Sequence, residues 1–120
     1  VAVNWAVENQ KRLEDAGHYV RRSGNGDYQR YQFTKRRLEE LRERGPFRLV
    51  FIGDPAAPDD NYAIPYGVLA TLLTPDALKT NSNDGRQYWA LSIREGVVFV
   101  EGDADRTGLP VGEYRGVKKF

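Results

Sequence analysis

The 120-residue chain contains no cysteine, no methionine and a single histidine, His18. The lack of cysteine excludes disulfides, thiolate metal centres and a cysteine nucleophile. A lone histidine excludes every site that needs two imidazoles, including a His-x-x-x-His zinc motif. No run approaches the roughly 18 consecutive apolar residues of a membrane span. The N-terminal VAVNWAVENQKRLED also lacks the ordered charged and apolar regions of a signal peptide, so the expected location is cytoplasmic. No repeat, low-complexity tract or internal boundary is visible, and a chain of this length is one domain, residues 1–120. Its start at Val1 and its lack of methionine predict a domain excised from a longer chain.

What is present is a folding composition, with 40% hydrophobic residues, seven tyrosines, five phenylalanines and two tryptophans. The net charge of +1 conceals a segregation. Residues 18–37 hold six cations (Arg21, Arg22, Arg30, Lys35, Arg36, Arg37) against Asp27, whereas residues 53–84 hold five acids (Asp54, Asp59, Asp60, Asp76, Asp84) against Lys79. A molecule so divided can turn a basic face toward a polyanion without being basic as a whole. The other reading of the same run is a solvated helix face with locally paired charges.

Apolar residues from Val3 to Ala16 recur at helical spacing, and Gly17 supplies a stop. Tyr28, Tyr31, Thr34, Leu38 and Leu41 draw a second stripe, which predicts a helix over about 27–44 with Asp27 as its cap. Lys35-Arg36-Arg37 then falls in mid-helix, where the peptide dipole does little for it. From Phe47 the period becomes extended: PFRLVFIGD reads as a buried strand, NYAI as a short one, and an apolar helix follows Pro65 through Val68, Leu69, Leu72 and Leu73. RQYWALSIR alternates as a strand, and Glu95-Gly96 allows a tight hairpin into VVFVEG. In the glycine-rich tail, Leu109, Val111 and Tyr114 are available as anchors. These elements predict an α+β domain in which two N-terminal helices pack on a mainly antiparallel sheet of four or five strands, with one inserted helix.

Catalytic patterns are incomplete. Pro58-Asp59 is half of a PD-(D/E)xK metal-nuclease centre, but ALSIREG and VVFVEG lack the acid-x-Lys that completes it. No Gly-x-Ser-x-Gly elbow accompanies His18, which reads as a helix-capping or surface residue. SGNGD lacks the remainder of a phosphate-binding loop. No catalytic residue, metal ligand or cofactor is expected. Nucleic-acid contact fits better. Arg21 and Arg22 enter the SGNG loop and Tyr28 and Arg30 leave it, while a second basic and aromatic group, NDGRQY, carries Arg86 and Tyr88.

FRLVFIGD, NYAIPYGVLATLLTPDAL and RQYWALSIREG, within roughly residues 46–96, resemble segments of DNA-recognition modules attached to HNH-type restriction endonucleases, including modification-dependent ones. The resemblance implies a reading module and not the cutter, because an HNH centre needs more than one histidine. The expectation is therefore a double-stranded DNA-binding domain, joined in the full-length chain to a nuclease domain, and the resemblance to modification-dependent enzymes extends the expectation to the reading of modified bases. Its candidate contacts are Arg21, Arg22, Asn25, Tyr28, Arg30, Lys35, Arg86 and Tyr88. The alternatives are a protein-interaction or structural module of a larger enzyme and, third, a small metal-dependent nuclease centred on Asp54, Asp59 and Asp60.

Overall fold

A computed structural model describes residues 2–23, 30–102 and 108–120. The predicted first helix is two short ones, α1 (Trp5–Glu8) and α2 (Gln10–Asp15). The break is at Asn9, whose side-chain amide donates to the Trp5 carbonyl at 2.9 Å beside that residue's own backbone N–H. Such local side-chain bonds compete with a continuous helix. Gly17, at a φ of +95°, turns the chain into β1 (Tyr19–Arg22), a strand absent from the sequence reading.

The predicted helix over 27–44 is corrected in its front part. Residues 30–34 form β2 (Arg30–Thr34), and α3 is confined to Lys35–Arg44, while residues 27–29 lie outside the described residues. Tyr31 and Phe33 point into the core and Arg30, Gln32 and Thr34 away from it, a period of two. Aromatic side chains pack well on a pleated surface, and pairing with a neighbouring strand decides the matter.

Further along come β3 (Arg48–Ile52), β4 (Asn61–Pro65), a one-turn α4 (Tyr66–Leu69), β5 (Lys79–Thr80), β6 (Gln87–Arg94), β7 (Val97–Val100) and β8 (Leu109–Pro110). The apolar helix expected through Leu73 stops at Leu69. Beyond it the Leu72 and Leu73 N–H groups bond three residues back, tightening the chain into turns. Glu95 and Gly96, both at positive φ, form the expected hairpin turn.

β1 pairs in parallel with β3, and β4 antiparallel with its other edge. The second sheet is antiparallel, in the order β2-β6-β7-β8, with β5 also on β6. Since Tyr88 on β6 faces Thr34 on one edge and Lys79 on the other, β5 prolongs the edge that β7 occupies. The chain is thus an α+β domain with a mainly antiparallel five-stranded sheet.

The main core lies between the sheets. Tyr19, Phe33, Phe51 and Tyr31 meet edge to face at centroid separations of 4.9–5.0 Å, with Leu38 and Leu41 of α3 closing one end. A smaller core packs Ala6 and Leu13 of the N-terminal helices on Val20, Val50, Ile52 and Ala63, so these helices cover the outer face of the three-stranded sheet. Val111 is fully buried and Leu109 and Tyr114 pack on the core, so all three expected anchors hold the tail. Among the described residues no helix is long and apolar enough to cross a membrane.

Candidate nucleic-acid interface

The start of α3 is unusual in its charge. Acids are the favourable residues at a helix N-terminus, where the dipole is positive. Here the first turn has no acid and begins Lys35-Arg36-Arg37. With β2 occupying residues 30–34, this run opens the helix instead of sitting at its middle, and opposes the dipole. The N-cap, Thr34, makes no side-chain cap bond because its hydroxyl lies 3.2 Å from the Tyr19 hydroxyl. An open cleft of about 590 Å³ lies there, lined by Thr34, Lys35, Arg36 and Glu39 on one wall and Asp84, Gly85, Arg86 and Gln87 on the other. The two walls meet because Thr34 and Tyr88 are cross-strand partners. Lys35 and Arg86, far apart in sequence, are therefore brought to one cavity.

The cleft cations are not unpaired. Lys35 lies 3.9 Å from Glu39, Arg36 lies 3.3 Å from Glu40 and Arg86 lies 3.4 Å from Asp84. Exposed ion pairs are worth about 0–1 kcal/mol, so these carboxylates hold the cations only weakly.

Arg30 is more firmly engaged. Its Nε donates to Glu101 Oε1 at 2.8 Å, and Lys79 Nζ reaches Oε2 of the same carboxylate at 2.9 Å. Hydrogen bonding to Glu101 and its negative charge hold Arg30 charged, while Arg30 followed by Lys79 pulls the Glu101 carboxyl below its usual range. Arg21 and Arg22 end β1 and point to opposite faces of their sheet. Arg22 shares the face of Val20, and its Nε donates to Gln10 of α2 at 3.0 Å. Arg21 shares the face of Tyr19, is exposed, and forms no ion pair among the described residues. Asn25 and Tyr28 lie outside the described residues.

Sequence reasoning did not assign Arg36 and Gln87 to the site, although the poor fit of Lys35-Arg36-Arg37 to helix stability was the signal for Arg36. It also missed Glu101, which nothing in the sequence connects to Arg30.

The carboxylates of the acidic segment are engaged in local contacts. Asp60 Oδ2 accepts the Asp54 N–H at 2.7 Å, Asp54 Oδ1 accepts the Ala56 N–H at 2.9 Å, and Asp59 pairs with Lys118 at 3.1 Å. The three carboxylates therefore satisfy a turn and a terminal lysine, and no metal-ligating cluster occurs among the described residues. Buried Asn4 holds the same turn by donating to the carbonyls of Asp54 and Asp60. His18 is half-buried, with its Nδ1 accepting the Arg48 N–H at 3.0 Å and its ring edge-on to Phe120. Burial, then the nearby Arg48 charge, lowers its pKa, so it serves as a neutral structural acceptor. Comparison with family models, with curated proteins and with solved structures finds no match to this chain.

Proposed function

We propose that the chain binds double-stranded DNA, with the backbone entering the cleft between the first turn of α3 and the loop before β6. The observation that carries this reading is the inverted charge of α3. Lys35, Arg36 and Arg37 crowd its positive end, at a cost to the helix that phosphate binding offsets, and Arg86 faces them across the cleft. In this reading Lys35, Arg36 and Arg86 neutralise phosphates, Arg21 adds a contact from the neighbouring sheet, and Gln87 offers an amide to a base edge. The restriction-module resemblance agrees with a reading domain that works beside a nuclease domain.

Binding isotherms with a duplex at several salt concentrations test the proposal. Each phosphate neutralised contributes about −0.9 to the slope of log affinity against log salt. Replacing Lys35, Arg36 and Arg86 together by Gln should flatten the slope by about 2–3. Absence of binding, or affinity indifferent to salt, rejects the reading.

A second reading has its own observation. Pro46, Phe47, Pro65 and Tyr66 line an apolar groove of about 350 Å³, with the Phe47 and Tyr66 rings stacked at 5.1 Å. It suits a protein-interaction module. Association with a partner protein that Tyr66→Ala abolishes, and that the triple Gln variant leaves intact, would favour it.

A further inference from the structure

We infer that the outer face of the five-stranded sheet is a stacking surface for an unpaired nucleic-acid base, with Tyr88 as the ring that receives it. The inference rests on the nucleic-acid reading above and extends it to a second part of the surface.

Pairing register defines this face. Thr34, Tyr88 and Lys79 form one cross-strand row, and the Glu101 N–H bond to the Ala90 carbonyl continues the sheet at the next outward position. The opposite face buries Phe33, Trp89, Leu91 and Val98. Every described helix directs its buried residues into one of the two cores, so none of them covers this surface.

Tyr88 and Ser92, the cross-strand partner of Arg30, stand two outward positions apart on β6, so Tyr88 and Arg30 border the same stretch of this face. Arg30 itself crosses β6 to meet Glu101 on the other edge. Ala90, whose side chain is only a methyl group, stands between Tyr88 and Ser92 on this face and is completely buried beneath its neighbours. Tyr88 is half-buried, so part of its side chain stays open to solvent. Phe99 shares the outer face but is less available, because the Gly108 backbone packs against its ring.

A flat aromatic ring beside a planar guanidinium is chemistry suited to an unpaired base, whose faces are free, and not to a base within an intact duplex. Charge agrees, since Arg30 and Lys79 share the one carboxylate of Glu101. So does continuity, because Thr34 and Gln87, the cross-strand and chain neighbours of Tyr88, line the basic cleft. A strand whose phosphates occupy the cleft can thus lay a base on Tyr88.

The test uses short single-stranded DNA and RNA oligonucleotides carrying one 2-aminopurine, and a fully paired duplex, read by fluorescence quenching and by anisotropy. Wild type and Tyr88→Phe should quench the probe. Tyr88→Leu should abolish quenching and weaken single-strand affinity at least about fivefold, with duplex affinity within about twofold of wild type. Duplex binding without quenching by wild type, or equal single-strand affinity in Tyr88→Leu, overturns the stacking surface and leaves the cleft reading standing. Tyr88-dependent single-strand binding without duplex binding does the reverse. Binding of neither rejects both, and the DNA and RNA arms identify the natural strand.

Discussion

The Tyr19 hydroxyl accepts the backbone N–H of Thr34 at 3.0 Å and lies 3.2 Å from the hydroxyl of the same residue. One phenol therefore fastens β1 to the junction of β2 and α3, and occupies the side chain that would otherwise cap the helix. Tyr19→Phe keeps the edge-to-face contact with Phe33 but leaves the Thr34 N–H without its acceptor. The expected loss is about 1–2 kcal/mol in urea unfolding. An unchanged midpoint would show that Thr34 recovers a partner by capping α3.

Arg21 and Arg22 should differ despite being adjacent. Arg21→Ala should weaken duplex binding at least about threefold without shifting Tm, whereas Arg22→Ala, which removes a guanidinium turned toward Gln10, should change affinity less than twofold. Equal losses would mean that α2 joins the interface.

The histidine makes stability depend on pH. Its folded pKa is lowered by burial and Arg48, so between that value and about 6.5 the unfolded chain holds a proton that the folded chain does not. Stability is full above about 6.5 and falls as pH drops toward the folded value. His18→Gln should flatten the Tm profile in this window, and a profile identical to wild type would remove His18 as its source.

Glu101 restrains two cations of the proposed surface. Glu101→Gln should tighten nucleic-acid binding by about threefold and steepen its salt slope, while stability changes by less than about 1 kcal/mol, since the partners are over a third exposed. Weaker binding would identify Glu101 as a positioning group for Arg30.

Gly108 presses its backbone on β7. A Cβ added there would stand 2.5 Å from Val97 Cγ1 and 2.7 Å from a ring carbon of Phe99, so Gly108→Ala should destabilise by about 1–3 kcal/mol, measured by thermal unfolding. Val97→Ala and Phe99→Leu together should relieve more of that loss than Phe99→Leu alone.

How much the sequence disclosed varies with the kind of residue. β3 and the β6–β7 hairpin were legible because buried strands are continuous apolar runs and Glu95-Gly96 suits a tight turn. β2 was not: Tyr28, Tyr31 and Thr34 recur every three residues and run on into Leu38 and Leu41, which draws a helical stripe across a strand. That misreading also hid the cleft. Lys35 and Arg86 were recognisable as cations of interest, but only the Thr34–Tyr88 pairing brings them together, and no local pattern announces a long-range register. Glu101 was invisible for the same reason, being joined to Arg30 across 71 positions.

The chain leaves the three-stranded sheet after β1, contributes β2 to the other sheet and returns through α3 to lay β3 parallel to β1. Neither sheet can be completed from one contiguous stretch of chain. Folding must close large loops before it gains the contacts that reward them, which slows it relative to a helical domain of the same size. The same interleaving ties both layers into one cooperative unit, so the paired amides of the central strands β3 and β6 should exchange with solvent only through global opening.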